Sequence, residues 1–199
     1  MKKLFIIGAL LFTLTGCTKY SNGEKVETDK KEETKTETAA TEEKNTDDAL
    51  AADKKIYLEK YKDLITDINT KYDEIWEKEW SPAWESLEKN STDISGLASN
   101  MENVQEQYND LNTKIIDLKA EGLSNKNTKL LENYRLNFSK AISYRSNAAQ
   151  AINQAIKGLD TVQSRSEEAT KSIKLADKYM IKAVTNLADL EENLEISEK

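Results

Sequence analysis

Residues 94–118 read ISGLASNMENVQEQYNDLNTKIIDL, and their large apolar members fall at Ile94, Leu97, Met101, Val104, Tyr108, Leu111, Ile115 and Leu118. The steps alternate strictly between three and four. That period lays one stripe along an α-helix and suits helices packed at a shallow angle, whereas a strand would alternate by two. Leu131, Tyr134, Phe138, Ala141, Arg145, Ala148, Ile152 and Ala155 repeat the pattern. So do Ala169, Ile173, Ala176, Met180, Ala183, Leu187, Leu190 and Leu194. A broader stripe runs through Tyr57, Tyr61, Leu64, Ile65, Ile68, Tyr72, Ile75, Trp76 and Trp80.

The interruptions carry turn chemistry. Glu121-Gly122-Leu123-Ser124 and Lys157-Gly158-Leu159-Asp160 each place Gly just past a helix, then a hydrophobe, then a capping residue. Such spacing predicts a left-handed helix stop followed at once by a new helix. Asp160 with Gln163 fits a capping box, and Asn90-Ser91-Thr92-Asp93 supplies caps before the second stripe. Ser81-Pro82, with the only proline, predicts a kink or restart in the first helix. The expectation is all-α: an elongated antiparallel bundle with coiled-coil-like packing. Its helices span 51–80 with a piece at 82–89, then 92–121, 125–157 and 160–196. The heptad register also survives Gly158 through Leu159, Val162 and Ser166, so one very long helix over 125–196, in a three-helix form, fits as well.

Ahead of the bundle lie two segments of different character. Lys2 and Lys3 precede an apolar run, Leu4–Leu14, too short for the ~20 residues a bilayer span needs, as in a signal peptide. Residues 18–49 hold six lysines, ten acidic residues and seven threonines, with Tyr20 the only aromatic. That composition predicts a disordered tether with a reach of about 30 Å. The domains expected are thus a signal peptide over 1–16, a lipidated cysteine and tether over 17–49, and a helical domain over 50–199.

Leu14-Thr15-Gly16-Cys17, placed after that apolar run, resembles the lipobox of bacterial lipoproteins. The resemblance implies that the Cys17 thiol receives a diacylglyceryl group, that cleavage falls before it, and that the chain sits on the extracytoplasmic face of the cell membrane. Two or more acyl chains make such an anchor stable. The whole is loosely similar to the small helical cell-wall-binding lipoproteins of Gram-positive bacteria, although no motif over 50–199 carries that likeness.

Composition excludes more than it assigns. Without histidine, and with one cysteine, neither Ser/His/Asp nor Cys/His catalysis is available, nor are the common zinc sites. No Gly-rich phosphate loop or EF-hand pattern occurs. The formal charge of −7 argues against a nucleic-acid partner. No enzyme, cofactor or metal is expected. The expected function is non-catalytic binding at the cell envelope, to an envelope protein or a cell-wall polymer. A bundle holding wall glycan, anionic polymer or a small molecule is the alternative.

Three features are candidates for binding. Trp76, Trp80 and Trp84 are spaced by four; they form either an aromatic platform or a plug at one end of the core. Arg145 occupies a seam position, where it either pairs with a carboxylate or snorkels to the rim. Residues 124–158 carry six basic residues and only Glu132, between acidic neighbours. Within them, 133–154 is rich in Asn, Gln and Ser, and Ser143, Tyr144, Arg145, Asn147 and Gln150 are the expected partner-binding residues. Contact surfaces are depleted in Lys, Glu and Asp and enriched in Tyr and Arg. The competing reading is that this helix is the most enclosed, its amides bonding neighbouring helices.

Overall fold

The computed structural model describes residues 37–88, 94–159 and 161–196. The apolar leader, Cys17 and the tether up to residue 36 lie outside the described residues, as do the caps Asn90–Asp93 and Asp160. Six α-helical segments form four rods. The first rod runs α1 (Glu37–Ile56), a π-helical turn (Tyr57–Tyr61), α2 (Lys62–Ile75), a second π turn (Trp76–Trp80) and α3 (Ser81–Glu88). The others are α4 (Ile94–Asp117), α5 (Asn125–Ile156) and α6 (Val162–Asn193). The result is an all-α, up-down bundle.

The stripes face inward as their spacing requires. Leu97, Met101, Val104, Tyr108, Leu111, Ile115 and Leu118 are all buried, as are Leu131, Tyr134, Phe138, Ala141 and Ile152. Leu64 is the exception in its stripe and stays exposed. The most extensive helix–helix contact is between α5 and α6, with α4 against α5 next. Their chemistry explains it. Ala141 and Ala148 on α5 meet a seam of Ala169, Ser172, Ala176 and Ala183 on α6, all buried, so no long side chain holds the axes apart.

Gly158 ends α5 with φ +69°, and the reading of 125–196 as one long helix is thereby corrected. Gly158 N–H donates to the Ala155 carbonyl at 3.1 Å and Leu159 N–H to Gln154 at 3.0 Å, the paired bonds of a Schellman stop. The cap of α6 is Thr161, whose hydroxyl accepts from Ser164 N–H at 3.2 Å, one residue beyond the expected Asp160. α6 closes at Glu195 with a second such stop, where Ile196 N–H reaches Glu191 O at 2.9 Å. A non-glycine residue at φ +52° carries that turn, and Lys54 Nζ donates to its carbonyl at 2.8 Å.

Two further expectations need correction in the first rod. Helix begins at Glu37, inside the stretch expected to be a disordered tether. Ala39, Ala40, Ala49, Ala51 and Ala52 favour helix there, and a carboxylate at the start suits the dipole. Nor does the rod restart at Ser81-Pro82; it continues into α3. The π turn supplies the reason: Ser81 N–H donates to Trp76 O, five residues back. Widening the turn immediately before Pro82 makes room for a ring that would clash in an α-turn.

The base of the bundle is tied by side chains of the first rod. Tyr61 hydroxyl accepts from Glu121 N–H at 2.7 Å and faces the Lys119 and Glu121 carbonyls at 2.9 Å, fixing the α4–α5 loop. Buried Asp53 receives Ser124 N–H at 2.9 Å and Asn127 Nδ2 at 2.8 Å. A carboxylate from another helix thus caps α5, in place of the Ser124 side chain that the sequence offered.

Candidate functional site

The C-terminal end of the first rod carries a column of planar groups. Trp76 and Trp80 stack with centroids 5.3 Å apart and planes 11° from parallel; Trp80 and Trp84 follow at 5.8 Å and 15°. The first stack spans the π turn Trp76–Trp80, and the second continues it onto the first turn of α3. Trp80 is buried, while Trp76 and Trp84 are half-buried. The column thus packs into the core at Trp80 and reaches the surface at Trp76 and Trp84. At its outer end Trp84 lines a shallow groove of about 490 Å³ with Gln163, Glu167, Lys171 and Lys174.

Arg145 completes the column from α5. Its guanidinium lies 3.6 Å from the Trp76 ring centroid. Nε donates to Tyr72 hydroxyl at 3.0 Å, and Nη2 to Asp177 Oδ1 at 2.7 Å. Arg145 is 7% exposed, so the side chain is a buried register pin that reaches its carboxylate at the rim. A planar, weakly hydrated cation is suited to this, because it can stack and bond at once. Nη1 is buried with no hydrogen-bond partner among the described residues. Burial raises the Tyr72 pKa, against the lowering pull of Arg145. Nearby Asp73 is also raised, chiefly by burial and by Glu77, with Arg145 opposing.

On the opposite side of α5 a second aromatic pair bridges to α6. Tyr144 and Tyr179 stack at 5.7 Å and 12°. Lys140 Nζ and Lys182 Nζ lie 5.2 and 5.4 Å from the Tyr179 centroid. Asn147 and Gln150 are exposed beside this pair, and Ser143, half-buried, donates to the Ser139 carbonyl at 2.9 Å. The structure thus gathers Tyr144, Asn147 and Gln150 on one outward face and turns Arg145 away from them into the core. The enclosed reading describes other polar residues of α5. Ser139 bonds Asn112 at 2.7 Å, Ser146 bonds Asn109 at 2.8 Å, and Asn153 faces Glu102 at 3.4 Å.

Tyr179, Asp177 and Lys182 were not singled out in the sequence. Asp177 is the only carboxylate between residues 169 and 188, which marks it as the mate for a basic seam residue. Tyr179 gives no comparable signal, since it sits one place off the seam. Among the described residues no group of three or more metal-ligating side chains converges, and no helix is long and apolar enough to cross a membrane. No protein-family model matches the chain, and no curated protein or solved structure matches it either.

Proposed function

We propose that this chain is a membrane-anchored, surface-exposed lipoprotein that acts as a non-catalytic binding module at the cell envelope. Cys17 is the lipid acceptor, and the helical bundle presents the binding face. The observation that carries the binding half is the outward surface of α5. There Tyr144 is held flat by Tyr179, with Asn147 and Gln150 exposed beside it and no carboxylate anywhere in residues 133–157. Rigid aromatic area with adaptable amides, poor in Glu and Asp, is the chemistry of a contact surface. The anchoring half rests on Leu14-Thr15-Gly16-Cys17 and the apolar run before it.

Metabolic labelling with a fatty-acid probe tests the anchor. Wild type should be labelled and membrane-bound, and Cys17→Ser unlabelled, either released or left as precursor. Equal labelling of both would refute it. In-cell crosslinking from Asn147 tests the face.

A second reading is favoured by the groove at Trp84. An indole flanked by Lys171 and Lys174 offers a stacking surface for a wall sugar or a small apolar molecule. Titration with muropeptide fragments should then shift tryptophan emission; no shift at millimolar fragment would remove this reading.

A further inference from the structure

The charges of this acidic chain are segregated. Residues 133–157 contain Arg135, Lys140, Arg145 and Lys157 and no carboxylate. Residues 169–188 contain Lys171, Lys174, Lys178 and Lys182 against Asp177 alone. Three of these cations have carboxylate partners: Arg145 with Asp177, Arg135 with Glu132, and Lys157 with Glu102. Lys140 and the four α6 lysines are exposed, and none has a carboxylate within 4.0 Å among the described residues. The excess cations therefore collect on the outside of the α5–α6 hairpin, while the overall charge of the chain is −7.

Their layout is linear. Steps of three and four keep Lys171, Lys174, Lys178 and Lys182 along one side of α6, over roughly 16 Å of axis at 1.5 Å per residue. Beside the upper part of this row lies the Tyr144–Tyr179 stack, with Lys140 and Lys182 both drawn to the Tyr179 ring. An ammonium over a ring keeps its hydrogen-bond donors free for an anion, while the ring offers a flat apolar edge.

We propose that the outer face of the α5–α6 hairpin binds an extended phosphodiester-linked polyol or sugar polymer of the cell envelope. Lys140, Lys171, Lys174, Lys178 and Lys182 meet successive phosphates as point charges, and Tyr144 and Tyr179 contact the C–H faces of the units between them. Charge complementarity selects an anion, and the row selects a chain carrying one anion per repeat. A lipid surface is less well matched. Helices that lie in a membrane interface present a broad apolar side, whereas here the exposed apolar area beside the row is the small Ile181–Val184 pair, and the tyrosines are stacked on each other. The inference rests on the envelope-facing reading above. Its test uses no anchoring, so either can fail without the other.

The test is binding of a defined poly(glycerol phosphate) chain to the purified full-length protein in mild detergent, followed by isothermal titration. Binding should weaken steeply with salt as counterions are released. Lys178→Glu with Lys182→Glu should weaken it at least tenfold. The same charge change at Lys60→Glu with Lys62→Glu on the first rod should leave it within twofold. Circular dichroism should show helicity unchanged in both. If the first pair loses helicity, Lys178→Gln with Lys182→Gln replaces it and should weaken binding at least threefold. Absence of binding, equal weakening by both pairs, or binding of phosphatidylglycerol vesicles without binding of the polymer would overturn the proposal.

Discussion

The α5–α6 hairpin and the first rod use the same three-and-four repeat to opposite ends. In the hairpin the seam includes five buried alanines, Ala141, Ala148, Ala169, Ala176 and Ala183, and the two helices run uninterrupted. In the first rod the inward residues include Tyr57, Tyr61, Tyr72 and Trp80 beside Ile65, Ile68 and Ile75, and the helix absorbs two π turns. Both π turns begin and end on an aromatic, Tyr57 to Tyr61 and Trp76 to Trp80. The rod reaches the hairpin through long side chains, such as Tyr57 to Glu191 at 2.6 Å and Tyr72 to Arg145 at 3.0 Å. Small seams let backbones come together without long side chains between them. Large ones fill the gap with ring area and shift the helix register to do so.

The two regions should accordingly fail in opposite directions. Trp80→Ala removes the middle of the stack from a site that is 2% exposed, and should cost about 3–5 kcal/mol in chemical denaturation. A loss below about 1 kcal/mol would mean that the column is not core. In the hairpin, enlargement does the damage instead. Ala176→Leu, at a fully buried seam position, should cost about 1–3 kcal/mol by forcing the helices apart. A neutral outcome would show that the seam is loose.

Alkali probes the buried tyrosines of both regions. Burial raises the Tyr57, Tyr72, Tyr108 and Tyr134 pKa values, and Glu191 adds to the rise at Tyr57. The unfolded chain loses these protons near pH 10 while the folded one keeps them. Stability is therefore fully present below about pH 10 and falls as pH rises above it. Tyr108→Phe should flatten that fall in a pH series of chemical denaturation. A profile unchanged from wild type would contradict the burial of that hydroxyl.

The smallest effect is expected at Asp177, whose side chain is 54% exposed. Asp177→Asn should cost no more than about 1 kcal/mol, because water screens the pair and Trp76 still holds the guanidinium. Arg145→Met, by contrast, is expected to leave the fold intact with a changed melting temperature, since an apolar side chain can replace a buried ion.

How far the sequence reveals this molecule differs between the same two regions. The stripes and the Gly158 stop were legible because periodicity and αL geometry are local. Gly122 does take φ +87°, but as a loop residue: α4 ends at Asp117, short of the expected helix end at 121. The π turns were not legible. Ser81-Pro82 announces a conflict with α geometry but not whether the chain breaks or widens. Arg145 was legible as an anomaly in its seam, yet its burial depends on Trp76 arriving from a helix about seventy residues earlier. The outward face of α5 was partly legible from composition. Tyr179 was not, because a stack between helices depends on their relative rotation, which no single helix encodes.

The proposals above place envelope binding on the hairpin's outer face and leave the first rod a structural part. Photo-crosslinking in cells, from a probe residue placed at Asn147 or at the exposed Leu64, tests this most directly. Both positions lie outside the core, so both variants should fold. The account predicts capture of a phosphate-bearing wall polymer from Asn147 and none from Leu64. Capture from Leu64 alone, or equally from both, would contradict it.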